Sequence, residues 1–499
     1  MKLFVKILCS LLALCTLAAL AVGCTQSGGE GEGTKAPVAN TGAQTNAATE
    51  NLDENGYLKD ALPEDLKFNQ VVRIVVSESQ AMNVYQTELS DNVISNAIFN
   101  RCATVEERLG IEIEWLPMDA TWNANRNAFF SHIQSTSSSG DAYDAICVYN
   151  LIPGALAAKG LCENLAGTTY LDLTAPWWPE DFVDEIVVND TLYSLVENSS
   201  RGTLYNIHGV FFNNSLIEDY HLTSPYDMVA ANEWTFANMM ALIKDTWSDQ
   251  NDNGIKDKDD FFGVMTGTEA KIETWFYGMG YKYSTKNAEG EPELLMGDTN
   301  YMISWLDEFT KAAGTNDFLL WDENGHTKAF FENRAILYMS AIRLVDNGVA
   351  AGIEMDYGIV PVPKKDENQE KYITNVANTH DTWCVPLNAK SMDVSSAVLE
   401  CMASESYRQV APVYFDQCIK LRYAPDGRLA EMYDLIRNSI VFDFCGIYSF
   451  AFVQVPRTVL HMSAKTPQTY PWASQWATYG AKFEAGFAEI LALYHGQTS

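Results

Sequence analysis

Apolar residues run almost unbroken from position 7 to position 22, behind Lys2 and Lys6 and ahead of Ala21-Val22-Gly23-Cys24. A positive head, a short apolar middle and small residues before a cut predict a secretory signal, because the block falls short of the roughly 18 to 20 residues that span a bilayer comfortably. Positions 25–51 then carry almost nothing apolar, as in Gly28-Gly29-Glu30-Gly31-Glu32-Gly33. Such a segment cannot bury enough surface to offset the entropy of ordering it, which predicts a flexible tether. Periodic order starts near Leu66. The β-branched run Val71-Val72-Arg73-Ile74-Val75-Val76 predicts a strand ended by Ser77-Glu78-Ser79-Gln80. Apolar positions Val93, Ile94, Ala97, Ile98, Val105 and Leu109, with Asp91 ahead of them, predict an amphipathic helix. Ile111-Glu112-Ile113-Glu114-Trp115 alternates as a second strand, and 142–149 reads as a third. That succession predicts parallel βαβ units with right-handed crossovers. Ligands meet such sheets beyond the carboxyl ends of the strands, which nominates Glu78 and Ser79 after the first strand and Tyr149 and Asn150 after the third. Further strands are expected around 192–195 and 210–213.

Composition narrows the class. The 499 residues, 47% hydrophobic and 12% aromatic, suffice for a large core in about two to three domains. The net charge of −32, from 65 acidic against 33 basic side chains, repels phosphate backbones and anionic lipid alike, so nucleic acid is excluded as a partner. A neutral or cationic solute, or a divalent cation, fits better. Beyond the signal, Cys102, Cys147, Cys162, Cys384, Cys401, Cys418 and Cys445 are scattered and odd in number. They read mostly as small buried apolar residues, with one bridge from Cys102 to Cys147 or Cys162 left open. The histidines are equally dispersed and offer zinc no ligand cluster.

Two resemblances carry further implications. Ala21-Val22-Gly23-Cys24 resembles the bacterial lipobox, with alanine where leucine is preferred, and implies lipidation at Cys24 and attachment to the outer face of the cell membrane. The fragments Tyr143-Asp144-Ala145-Ile146, Gly160-Leu161, Leu171-Asp172-Leu173, Pro176-Trp177-Trp178, Asn189-Asp190, Leu192-Tyr193, Phe211-Phe212-Asn213-Asn214, Glu233-Trp234-Thr235, Tyr357-Gly358-Ile359-Val360-Pro361 and Ser404-Glu405-Ser406-Tyr407-Arg408 keep an order similar to that of extracellular solute-binding proteins of carbohydrate-type ABC importers. The resemblance implies an α/β, two-lobed periplasmic-binding-protein-like fold with multiple hinge crossings, a solute in the cleft, a monomer, and ABC permease subunits as partners. It places the signal peptide at 1–23, the tether at 24–61, the first lobe at 62–208 and 336–384, and the second at 209–335 and 385–499. Crossings are expected near 203–212, 335–338 and 378–385, with the helical tail from 391 to 493 chiefly on the second lobe. Trp177 and Trp178 are assigned to packing under the hinge.

The sharpest local motif lies at 249–260. Asp249, Asn251, Asn253, Asp257 and Asp260 stand at positions 1, 3, 5, 9 and 12 of an EF-hand-type loop, Gly254 stands at 6, and the Ile255 carbonyl stands at 7. Alternating oxygens at that spacing wrap a hard cation such as Ca2+. Position 12 is the shorter aspartate, and Phe261-Phe262-Gly263-Val264 continues as a strand rather than a second helix. Similar loops in the resembled family imply a structural calcium site; a solvated acidic turn is the alternative.

Enzyme signatures are missing: no Gly-x-Ser-x-Gly, His-Glu-x-x-His, Gly-x-x-x-x-Gly-Lys or post-strand Gly-x-Gly-x-x-Gly occurs. A glycosidase carboxylate pair and a polysaccharide-docking lipoprotein remain as alternatives. The resemblance implies that Trp275 and Tyr277 face the solute. Arg343 follows an apolar run, where its fork suits hydroxyls or a carboxylate, and Asp381 and Trp383 stand at the expected third crossing.

Overall fold

A computed structural model of the chain describes residues 51–120, 125–267, 269–321, 325–350, 356–415, 427–452 and 456–497. The signal peptide, Cys24, most of the tether and Cys418 lie outside the described residues.

Eleven strands are described: β1 Gln70–Ser77, β2 Ile111–Met118, β3 Ala145–Tyr149, β4 His208–Asn213, β5 Phe262–Gly267, β6 Ser284–Lys286, β7 Pro292–Leu294, β8 Phe318–Trp321, β9 Ala335–Ala341, β10 Tyr357–Val360 and β11 Asp381–Cys384. They form a four-stranded sheet ordered β11-β3-β1-β2, a five-stranded sheet ordered β10-β4-β9-β5-β8, and the hairpin β6-β7. Each large sheet is the centre of one lobe.

In the first sheet β1 pairs in parallel with β2 and β3, as its βαβ pattern predicts, while β11 returns antiparallel to β3. The edge strand β2 keeps Ile111 and Ile113 inward and Glu112 and Glu114 outward. The inner strand β3 is buried throughout, because helices cover both its faces. The connecting helix Val93–Leu109 starts at Asn92, whose side chain accepts from the Ile94 and Ser95 amides at 2.9 and 3.0 Å. It ends at Gly110, at φ +60°. The expected strand at 192–195 resolves only into isolated bridges, Val188 to Thr191 and Leu195 to Trp383.

Several boundaries differ from the sequence expectation. Residues 335–338 are not a crossing: β9 is the central strand of the second sheet, between β4 and β5, and β10 joins its edge. Of the segment 336–384, only β11 belongs to the first sheet. The chain leaves the first lobe through the helix Arg201–Tyr205 and returns through 374–380, where Ile207 bridges Val376. The tail also divides. Its helix Met392–Glu405 packs on Val93–Leu109 of the first lobe, with Ser395 Oγ donating to the Asp144 carbonyl at 2.7 Å. The helices Gly427–Arg437, Pro456–Lys465 and Trp472–Tyr494 pack against elements of the second.

Residues 57–61 are seated rather than free, with Tyr57 against Tyr407 and Leu58 packed on the core. Asp60 is 5% exposed, and its carboxylate meets Arg108 at 2.6 and 2.7 Å. Trp177 and Trp178 are buried as expected, both indoles donating to Glu400 at 3.1 Å, under the helix Met392–Glu405. The described cysteines, Cys102, Cys147, Cys162, Cys384, Cys401 and Cys445, are all buried and free, so the bridge from Cys102 to Cys147 or Cys162 does not form.

Candidate functional site

Both passages between the lobes, 201–207 and 374–380, run close to the ends of β3, β4 and β11. Arg343 sits against them: its Nη1 donates to Asn206 Oδ1 and, at 3.1 Å, to Thr379 Oγ1, which itself donates to Asn206 Oδ1 at 2.7 Å. A residue just after a second-lobe strand is thus tied to both crossings.

Beside this node lies a cavity of about 360 Å³, open mouth included, lined by Asn150 from the first lobe, Glu273 and Tyr277 from the second, Asn375, Asn378 and His380 from the return crossing, and Asp443 from the tail. The Asn150 amide N–H donates to the His380 carbonyl at 3.2 Å, and its Oδ1 accepts from Thr382 Oγ1 at 3.1 Å. His380 Nδ1 meets the Ala377 carbonyl at 2.8 Å, which leaves Nε2 buried with no protein partner. Burial holds this imidazole down, at about 4, so it is neutral at physiological pH.

The two acids here are engaged by the protein. Burial pushes Glu273 up to about 7 against the pull of Arg457, and its Oε1 accepts from the Tyr283 hydroxyl at 3.1 Å. Asp443, raised to about 6 by burial and then by Glu185, accepts from the Tyr283 amide at 2.6 Å, Ser284 Oγ at 2.7 Å and the Gly446 amide at 3.1 Å. Asp443 therefore caps a turn and ties it to β6.

A second cavity, about 240 Å³ with its mouth, lies on the first lobe and is lined by Asn83, Arg101, Glu197, Arg201, Asp381 and Trp383 among others. Trp383 Nε1 donates to Glu197 Oε1 at 2.7 Å. Asp381 is 3% exposed and neither oxygen has a hydrogen-bond partner among protein groups. Burial, reinforced by Glu197, pushes its carboxyl up to about 8.

The sequence-nominated residues thus divide. Asn150 and Tyr277 meet in the inter-lobe cavity, Asp381 and Trp383 share the first-lobe cavity, and Arg343 holds the crossings. Tyr149 is buried at the end of β3 with its ring stacked 6.3 Å from Phe450, over which the Arg126 guanidinium lies at 4.4 Å. Glu78 is exposed in the turn Glu78–Gln80. Trp275 does not face a cleft. It is fully buried in the second-lobe core, with Nε1 donating to Thr266 Oγ1 at 3.2 Å and its ring against Phe236 and Phe318. Asn206, Thr379, His380 and Asn375 were missed by sequence reasoning. Glu273 carried one signal, a carboxylate directly ahead of the run Thr274-Trp275-Phe276-Tyr277.

The calcium-type loop adopts the turns its spacing demands. The Gly254 amide donates to Asp249 Oδ2 at 2.7 Å, the Ile255 amide donates to Asn253 Oδ1 at 2.7 Å, and Gly254 has φ +70°. Asp257 accepts from Asn253 Nδ2 at 2.6 Å. Asp260 is buried and accepts from Trp247 Nε1 at 3.2 Å and the Asp257 amide at 3.0 Å. Among the described residues no group of three or more His, Cys, Asp or Glu side chains converges as a metal site. The donor set of the loop is oxygen throughout, two carboxamides and a backbone carbonyl beside the carboxylates, which is the chemistry a hard cation takes.

No family model matches the chain, and no curated protein matches it. Among solved structures it is similar to a cyclo/maltodextrin-binding protein complexed with maltotetraose, at 12% identity over 86% of this chain and 97% of that one, with a TM-score of 0.52. It is likewise similar to the maltose-binding periplasmic protein of Listeria monocytogenes in complex with maltose, at 12% identity over 86% and 99% of the two chains, with a TM-score of 0.51. Likeness at that identity concerns architecture: the chain has the two-lobed α/β fold of periplasmic-type binding proteins.

Proposed function

We propose that this protein is an exported, lipid-anchored solute-binding protein that captures a small solute, a mono- or oligosaccharide, between its lobes and delivers it to an ABC permease. The observation that carries the reading is the inter-lobe cavity, where Asn150, Tyr277, Asn375, Asn378 and the orphaned His380 Nε2 supply donors and acceptors from both lobes and a crossing. A solute touching both lobes favours the closed state by its differential affinity for that state. The solved structures of similar fold hold maltose and maltotetraose, which favours a sugar. Binding without chemistry agrees with Asp443, whose oxygens accept from Tyr283, Ser284 and Gly446, and with Glu273, whose Oε1 accepts from Tyr283 while its Oε2 lies 4.0 Å from Arg457.

A thermal-shift screen against sugars and small peptides, with calorimetry on each hit and chromatography of the recovered compound, tests the reading. Recovery of an intact ligand, bound about tenfold or more weakly by Asn150→Ala, is the expected result. A cleaved sugar makes the protein a hydrolase, and binding of large polysaccharide alone makes it a docking protein. Mass spectrometry of the mature amino terminus tests the anchor: a free terminus beyond Cys24 removes it.

The same reading includes Ca2+ on the loop 249–260, held by Asp249, Asn251, Asn253, Asp257, Asp260 and the Ile255 carbonyl. The ion would cross-link the loop that leads into β5. At a tenfold excess over Kd it would add about 1.4 kcal/mol of stability. Chelator is expected to lower the melting temperature of the wild type and leave Asp249→Ala unchanged; identical melting of the wild type with and without calcium removes the site.

A further inference from the structure

Two cations stand together at the hinge end of the second lobe. The parallel register that sets Met265 beside Tyr338 puts Gly267, the last residue of β5, level with Ser340 near the end of β9. Arg343 follows β9 directly, Lys271 lies in the first turn of the helix Ala270–Gly278 that follows β5, and His326 opens the helix His326–Phe331 that follows β8. These are carboxyl ends of parallel strands, where open α/β sheets take their ligands. A Cβ added to Gly267 would stand 3.2 Å from Lys271 Cγ and 3.5 Å from His326 Nε2, so the glycine keeps a space open between them. His326 Nδ1 is occupied by the Tyr338 hydroxyl, which turns Nε2 towards that space. His208 borders the group through Thr274 Oγ1, at 3.2 Å from its Nδ1.

No carboxylate among the described residues forms an ion pair with Lys271 or Arg343, in a chain with 65 acidic and 33 basic side chains. Burial pushes the Lys271 ammonium well below its ordinary value, and Arg343 adds to the same displacement. His208 and His326 are lowered first by burial and then by Lys271. Cations gathered this way without a counter-charge cost the empty protein stability, and an anion would recover it.

We propose that Lys271 and Arg343 form a subsite for a carboxylate on the captured solute, which makes the preferred ligand a uronic-acid-type sugar. The inference rests on the capture reading and adds a charge requirement to it. Arg343 spends Nη1 on Asn206 and Thr379, so Nη2 and Nε, together with the ammonium, are the donors left for the guest. The Nη2–Nε edge of the guanidinium is a planar pair of donors that fits the two oxygens of a carboxylate, with the ammonium beside it.

The test is a thermal-shift and calorimetry series on the wild type and Lys271→Met with glucuronate, galacturonate and digalacturonate, alongside glucose, galactose, glucose 6-phosphate and acetate. Uronates are expected to stabilise the wild type, to bind Lys271→Met about tenfold or more weakly, and to lose affinity as salt rises. A lysine whose folded value is depressed costs the fold stability at every pH below its ordinary value, in full below the depressed one, so Lys271→Met is also expected to melt higher than the wild type without solute. Neutral sugars binding both proteins alike while uronates stay inert would leave solute capture standing and remove the carboxylate subsite. Acetate and glucose 6-phosphate binding as well as the uronates would keep an anion subsite and remove the sugar-acid class. A lower melting temperature for solute-free Lys271→Met, or no response to any anion, overturns the inference.

Discussion

Two buried clusters in this protein have the same inventory, two carboxylates and two guanidiniums, and opposite fates. Where the tether end meets the body, Asp60 and Glu405 face Arg108 and Arg408: Arg108 reaches Asp60 at 2.6 Å and Glu405 at 2.8 Å, and Arg408 reaches Glu405 at 2.5 Å and Asp60 at 3.3 Å. Although burial opposes it, the hydrogen bonds from Arg108 and Ser404 bring Asp60 down to about 2. Beside the hinge, Asp381 and Glu197 face Arg101 and Arg201, but the guanidiniums spend their donors elsewhere. Arg101 donates to the Val84 carbonyl and to Met402 Sδ at 2.9 Å; Arg201 donates to Asn83 Oδ1 at 3.0 Å and approaches Asp346 of the second lobe at 3.8 Å. Asp381 is left without a protein partner, and Gly202 of the outgoing crossing packs so close that a Cβ there would stand 1.6 Å from Asp381 Oδ2. Formal charge therefore decides little in a buried cluster; the direction of the guanidinium fork decides whether an acid is clamped or kept unpaired.

The comparison breaks most visibly at its paired end. Asp60→Ala leaves two guanidiniums to share Glu405 alone and is expected to cost about 3 to 5 kcal/mol in urea unfolding. Asp60 sits below its unfolded value, so its share, about 2.5 kcal/mol, is present at neutral pH and is lost as pH falls from about 5 through about 2. A flat stability profile over that range would show that the clamp carries nothing.

At the unpaired end the sign reverses. Asp381 is raised to about 8, so the folded protein holds a proton that the unfolded chain releases between about 4 and 8, and stability falls as pH rises through that window. Asp381→Asn is expected to flatten the fall and to gain on the order of 2 kcal/mol at pH 9. Equal pH profiles for the two proteins would mean that the acid is paired after all.

Smaller effects sharpen the contrast. Gly202→Ala should cost about 1 to 2 kcal/mol by overpacking, and less when combined with Asp381→Ala, because the clash is with that carboxyl; strict additivity would place the strain elsewhere. The exposed pair of Lys328 and Glu332, at 3.4 Å on one helix face, should change stability by less than about 0.5 kcal/mol in Lys328→Ala.

The site was only partly legible. Tyr277 and Glu273 are four residues apart and share the helix face that lines the inter-lobe cavity, while Trp275, half a turn away, points into the core. A run of aromatics announces burial but not helix phase, so the sequence could not tell that Trp275 enters the core while Tyr277 reaches the cavity wall. Asn206 and Thr379 gave no signal, since a polar residue near a crossing looks like any other until Arg343 reaches both.

The sequence by itself determined what local periodicity can carry: β1, the helix Val93–Leu109, the alternating edge strand β2 and the turns of the 249–260 loop. Only the tertiary structure decided which sheet each apolar run joins. β9 and β3 are both buried on two faces and read alike, yet one is central to the second lobe and the other belongs to the first. A strand covered on both sides carries no mark of its neighbours, so its lobe, and with it the path of the hinge, is fixed by hydrogen-bond pairing across hundreds of residues.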